Sequence, residues 1–308
     1  MAATATEGTN GLSIAAVERD TGLAKDTLRV WERRYGFPQP VRDAFDERLY
    51  PSEQVERLRL IARLLGAGLR PGRIVSLPLE ELQQLLQQAA PADAAAPPSA
   101  ELQALIALVR GHDTLALRRT LGQSVMRLGL GRFLTEVLAP LNVQIGEAWM
   151  RSEIQVFEEH MYTESVVAVL RGALGSTGVM PRPGMPRVLL ATFPHESHVL
   201  GLLMAEVMLT LEGCECVSLG AQTPVDEIVR AAAANRTQIV GLSFSPAFSP
   251  PLLLRGLQEL RERLPADVQL WAGGNHPALH RRPIEGVTSV QRLDQIAALL
   301  LPWRKGQA

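Results

Sequence analysis

The sequence has only two cysteines, Cys214 and Cys216, separated by one residue. That spacing matches neither a structural zinc site nor a disulfide framework, so a reduced cytoplasm is the expected environment and strand burial the expected role of both thiols. No apolar run approaches the roughly 18 residues needed to span a bilayer, and Met1 to Gly11 are small and polar. Neither secretion nor membrane insertion is expected. Net charge is also nearly absent, at -1, so the chain as a whole does not announce a nucleic-acid partner.

What is present is enough for several packed cores. The 308 residues are 46% hydrophobic and 20% charged, which suits two or three folded domains. Charge is uneven: between Arg19 and Arg73 stand 12 Lys or Arg against 8 Asp or Glu, with Arg29, Arg33 and Arg34 crowded together. The stretch 89–99, AAPADAAAPPS, has three prolines and no large apolar residue and reads as a linker. A second break, from Gly175 to Pro186, holds three prolines and three glycines.

Three segments result. Residues 11–88 read as short helices and turns ending in an amphipathic run from Ser52, where Val55, Leu58, Ile61, Leu64 and Leu65 recur at helical spacing. Residues 100–176 are helically periodic, interrupted at Gly111-His112-Asp113 and Gly129-Leu130-Gly131, which predicts a four-helix bundle. Residues 186–304 alternate strand-like and helical runs. Their clearest strands are Val188 to Phe193, Glu215 to Leu219, Ile239 to Phe244 and Val268 to Ala272, so a parallel Rossmann-like, flavodoxin-like α/β domain is expected, with its ligand beyond the carboxyl ends of the strands.

Unusual residues cluster at that address. Glu196-Ser197-His198-Val199-Leu200-Gly201 follows the first strand, forty-one residues separate Gly201 from Ser243-Phe244-Ser245, and Gly273-Gly274 follows the fourth strand. Singly, each has an ordinary explanation: a solvated loop histidine, a helix-start serine, a glycine turn. Together they resemble the cobalamin-binding domain shared by methionine synthase, base-off mutases and cobalamin-dependent regulators. The resemblance implies that His198 is the lower axial ligand of cobalt and that Glu196 holds its second ring nitrogen. It also implies that Gly201 admits the corrin face, that Ser243 and Ser245 border the site, and that Gly273 and Gly274 let the displaced nucleotide tail pass close to backbone. His195 lacks companion ligands and reads as loop surface.

In the helical segment, Trp149 precedes Glu159-His160 with nine residues between Trp and Glu. Bundle core and a polar helix face would account for them separately. The pattern is similar to the four-helix cap of the adenosylcobalamin-dependent photoreceptor repressors of CarH/LitR type, which implies that these residues face the upper axial group. There, the residue after the Trp is a histidine that captures cobalt after photolysis; here it is Met150, whose thioether is a poorer partner for oxidised cobalt. Capture by a second histidine at that position is excluded.

The first segment contains Ser13-Ile14-Ala15-Ala16-Val17, Thr21-Gly22-Leu23 and Thr27-Leu28-Arg29-Val30-Trp31-Glu32-Arg33-Arg34-Tyr35-Gly36-Phe37-Pro38. It resembles the MerR-family winged helix-turn-helix, with Arg48-Leu49-Tyr50 closing the wing. The resemblance implies that Lys25 and Arg29 face DNA from the recognition helix and that Arg33, Arg34, Arg42, Arg48 and Tyr50 contact phosphate or groove, while Leu28 and Trp31 pack. Asp43, Asp46 and Glu47 make the wing unusually acidic, which weakens phosphate attraction.

These resemblances imply a light-responsive regulator, a repressor, that binds adenosylcobalamin and occupies double-stranded operator DNA as a dark-state tetramer. Methylcobalamin or hydroxocobalamin are alternative ligands, and a light-independent cobalamin or redox sensor is the alternative function. An enzyme subunit would need a substrate barrel of roughly 250 residues, for which the chain has no room.

Overall fold

A computed structural model describes residues 11–43, 45–66, 69–89, 99–151, 153–246, 248–281 and 283–306. The chain divides into two compact units, Met1–Ala92 and Asp93–Ala308. Most of the expected linker, 90–98, lies outside the described residues.

In the first unit, β1 (Gly11–Ser13) leads into α1 (Ile14–Thr21), whose first turn is capped by the Ser13 hydroxyl accepting the Ala16 N–H. Gly22, at φ 70°, ends that helix and frees the chain to start α2 (Lys25–Tyr35). The wing is β2 (Val41–Arg42) and β3 (Arg48–Pro51), joined with β1 in an antiparallel sheet of order β1-β3-β2. Then come α3 (Ser52–Gly66), α4 (Pro71–Ile74) and α5 (Leu79–Ala89). The helical spacing seen from Ser52 has a direct result: Val55, Leu58, Ile61 and Leu64 are buried, sharing a core with Leu28, Trp31, Ile74 and Leu82.

The second unit opens with α6 (Ala100–Arg110) and α7 (Thr114–Leu128), capped by Ser99 and Asp113, the residues that end the preceding breaks. Next, α8 (Leu130–Arg132), a π-helical turn over Phe133–Leu138 and α9 (Ala139–Met150) run on as one rod, followed by α10 (Val156–Ser176). Among the described residues these make the four rods of a bundle.

The remaining elements are β4 (Arg187–Ala191), α11 (Leu200–Leu211), β5 (Glu215–Gly220), α12 (Val225–Ala234), β6 (Ile239–Ser243), α13 (Pro250–Arg263), β7 (Gln269–Gly273), α14 (Pro277–Arg281), β8 (Val287–Val290), α15 (Gln295–Leu299) and α16 (Leu301–Arg304). All five strands are parallel, in the flavodoxin-like order β5-β4-β6-β7-β8. The expected fold class therefore stands, with one strand more than the sequence announced. β8 was missed because Val-Thr-Ser-Val is short, lies at the sheet edge and is only partly buried.

Alternation along β4 explains how bundle and sheet join. Val188 and Leu190 face a core shared with the bundle and α11, whereas Leu189 and Ala191 face α12 and α13. Polar contacts reinforce the first face: Tyr162 donates to Asn142 Oδ1, Asn142 donates to Met204 Sδ at 3.2 Å, and Arg171 pairs with Glu206 at 2.8 Å. The order of the strands reverses between β4 and β6, so the loops after these two strands flank the crevice where such sheets bind ligands.

Candidate functional site

The loop from Thr192 to Val199 is built around a carboxylate. Thr192 Oγ1 donates to the Glu196 carbonyl at 2.5 Å, closing the turn and turning the Glu196 side chain inward, where it is only 1% exposed. A lone buried carboxylate would be costly, but this one accepts four hydrogen bonds. His198 gives Oε1 its backbone N–H at 3.0 Å and its Nδ1–H at 2.6 Å; Ser245 gives Oε2 its backbone N–H and its hydroxyl, each at 2.8 Å. Burial pushes the Glu196 pKa up, but the His198 hydrogen bond and charge, with the two backbone N–H groups, outweigh it and hold the carboxyl below its ordinary value.

The consequence falls on His198. With its proton fixed on Nδ1, the imidazole keeps the Nε2 lone pair free, and the side chain is 60% exposed. Desolvation lowers the pKa of the ring, while Glu196 and, from α10, Glu159 raise it, and the net shift is upward. Among the described residues no group of three or more His, Cys, Asp or Glu side chains is placed to hold a bare metal ion. A single oriented imidazole suits instead a metal whose other positions a macrocycle already fills. The residues present therefore fit a corrinoid.

Three glycines shape the surroundings. A Cβ on Gly201, in the first turn of α11, would stand 2.6 Å from Ser243 Oγ, so helix and strand end approach closely. At Gly274, φ is 104° and a Cβ would lie 2.1 Å from the Phe244 carbonyl oxygen. Gly274 is thus demanded by the fold itself, whatever passes beside it. Gly273 is less constrained, its nearest neighbour being the Val290 carbonyl at 3.1 Å. His195 is exposed at φ 71°, in keeping with loop surface.

On the bundle, Glu159 accepts from Thr163 Oγ1 at 2.8 Å and is close enough to His198 for its charge to act there. Trp149 is half-buried at the end of α9 and His160 is exposed, while the Met150 side chain lies outside the described residues. The neighbouring Glu158 was not singled out by sequence. It is buried, closes a capping box with Gln155 and holds His112 Nε2 at 2.8 Å. The signal was legible, since Gln155-x-x-Glu158 precedes a long helix.

In the first unit, Arg33 and Arg34 are exposed on α2, Arg29 is exposed and paired with Asp26 at 3.1 Å, and Lys25 lies 3.4 Å from Glu18. Arg42 pairs with Asp46 at 3.3 Å and Arg48 with Glu32 at 3.1 Å. Asp43 Oδ1 accepts the N–H groups of Phe45 and Glu47 at 2.8 Å, so it shapes the wing turn. Tyr50 corrects the expectation: it is 0% exposed, part of the core that includes Val17, Leu28, Trp31 and Val55, and it offers DNA no surface. Burial likewise pushes the Cys214 and Cys216 thiols up to about 12, which suits packing and opposes thiolate chemistry.

Comparison with known proteins gives three family matches. Residues 12–88 match the MerR HTH family regulatory protein model, and residues 101–171 and 186–288 match two B12 binding domain models. The fold and these family matches define a cobalamin-binding regulator of transcription with a MerR-type DNA-binding head. The chain is 30% identical over 283 residues to the HTH-type transcriptional repressor CarH of Myxococcus xanthus, covering 91% of this chain and 93% of that one. It belongs to this CarH family of MerR-type, B12-domain regulators. The repressor CarA of the same organism is 29% identical over 249 residues, covering 78% of each chain. Among solved structures, the Methanosarcina barkeri monomethylamine corrinoid protein shares the fold of the second unit, with TM-score 0.51 and 15% identity over 64% of this chain and 95% of that one. Among the described residues no helix is long and apolar enough to cross a membrane.

Proposed function

We propose that this protein is a light-responsive repressor, acting in the cytoplasm, that binds adenosylcobalamin and occupies operator DNA as a dark-state tetramer. The observation that carries the reading is the buried Glu196 carboxylate, held by Ser245, that fixes the His198 proton on Nδ1 and leaves the exposed ring able to ligate through Nε2. His198 would hold cobalt from below, oriented by Glu196 and Ser245, while Trp149, Glu159 and His160 would shield the upper group. When bound, adenosylcobalamin would supply a light-sensitive cobalt–carbon bond. Loss of the upper contact would release the cap helices, and loss of assembly would lower operator occupancy, because linked heads bind adjacent half-sites at high effective concentration. Lys25, Arg29, Arg33, Arg34, Arg42 and Arg48 would form the DNA face. The two B12 domains and the head occupy most of the chain, which favours regulation over catalysis.

The second reading is a light-independent sensor of cobalamin supply or redox state, and the observation favouring it is Met150 after Trp149. Purified apoprotein mixed with adenosylcobalamin in darkness separates the two when absorbance and molar mass are recorded before and after green light. Photolysis with dissociation of a tetramer supports the photoreceptor. A bound cobalamin and a mass indifferent to light support the sensor.

A further inference from the structure

His276 is a buried polar residue, 1% exposed, in the loop between β7 and α14, three residues after the strand ends at Gly273. The Ala278 N–H donates to its Nδ1 at 3.1 Å, which places the ring proton on Nε2, and Nε2–H donates to the Phe248 carbonyl at 3.0 Å. The ring therefore ties the loop after β7 to the loop after β6. An apolar side chain would fill the volume, but only a group that accepts in one direction and donates in the other makes both bonds.

The loop it grips is the one that holds the cobalt-ligand loop. Ser245, three residues before Phe248, carries Glu196, which orients His198. The loops after β4, β6 and β7 are thus strung in series, from His198 through Glu196 and Ser245 to Phe248 and His276. The join between the last two is rigid at a second point, because Phe244 N–H donates to the Gly273 carbonyl at 3.0 Å and Gly274 leaves no room for a Cβ against Phe244. On the cobalamin reading, with His198 on cobalt, the cofactor's displaced nucleotide tail would be accommodated beside the loops that follow these strands.

We propose that His276 is a specificity-determining positioning residue: by clamping the loops after β6 and β7 it keeps the tail slot in shape, so that a corrinoid with its nucleotide tail binds better than one without. This rests on the cobalamin reading above, with the tail displaced by His198. His276 does not touch cobalt, and its loss should leave corrin ligation by His198 in place.

The test compares hydroxocobalamin with aquocobinamide, which carries the same corrin and cobalt but lacks the tail, on the full chain. For His276→Leu, affinity for hydroxocobalamin should fall by about tenfold, the loss of one well-made contact. Cobinamide affinity and the absorbance of the His-ligated corrin should stay as in the unaltered protein. His276→Gln, which keeps a donor toward Phe248, should recover most of the preference. If His276→Leu does not fold, His276→Asn, whose shorter amide cannot span both partners, replaces it, and the same selective loss is expected. Equal losses for both corrinoids, or none for either, would overturn the proposal. An unaltered protein that binds neither corrinoid would overturn the cobalamin reading itself, and the proposal with it.

Discussion

Ser245 reaches Glu196 with both its backbone N–H and its hydroxyl, each 2.8 Å from Oε2, while the other carboxylate oxygen holds His198. Ser245→Ala removes one of the four donors from a buried carboxylate and should cost about 1–3 kcal/mol of stability in the second unit. It should also loosen the orientation of His198. Thermal melting of the apoprotein measures the first effect, and the fraction of bound cobalamin with histidine on cobalt measures the second.

The same pair sets a pH dependence. Glu196 sits below its ordinary 4.5, so its contribution is present above that value and is lost as pH falls through the lower folded pKa. His198 sits above its ordinary 6.5, so its contribution is full below 6.5 and is lost as pH rises through the raised folded pKa. Both are present on the mildly acidic side of neutrality, where the melting temperature of the apoprotein should be highest relative to a Glu196→Gln variant. A difference between the two that does not vary with pH would contradict the assignment.

Gly274→Ala should be far more damaging than Gly273→Ala. At Gly274 the added Cβ meets a backbone carbonyl at 2.1 Å with φ at 104°, and backbone cannot move aside as a side chain can. A loss of about 3 kcal/mol or more is expected from strain and overpacking, against a smaller one at Gly273, where the contact is 3.1 Å. Denaturant unfolding of the two variants gives the comparison.

Much of this was legible in the sequence, for reasons that differ by residue. The caps Ser13, Ser99 and Asp113 and the apolar spacing from Ser52 to Leu65 are local signals, and local physics decides them. Glu196 and His198 stand two residues apart, so their hydrogen bond was foreseeable. The Ser245 bond spans 49 residues and the His276–Phe248 bond spans 28, and only the parallel sheet brings those loops together. Tyr50 misled because a wing residue close to Arg48 reads as surface, whereas it joins the core formed by residues of α1, α2 and α3, which are distant in sequence.

On the first unit, Arg29→Ala should cost about 1–3 kcal/mol at a preferred operator and relax its sequence preference, as expected for a recognition-helix side chain. Arg48→Ala should weaken binding evenly across sequences and reduce the salt slope by about one, as expected for a phosphate contact. Binding titrations over a salt series, on matched and scrambled DNA, distinguish the two. Identical behaviour would refute the division of roles.

The central claim, that His198 Nε2 is the lower ligand of cobalt, is tested most directly by electron paramagnetic resonance of the cobalt(II) form of the bound cobalamin, in protein whose histidines carry nitrogen-15. Each cobalt line should be split into a doublet by the labelled imidazole, and His198→Ala should abolish that splitting. A triplet, identical to that of unlabelled protein, would mean that the cofactor's own nucleotide base remains on the metal and that His198 is not its ligand.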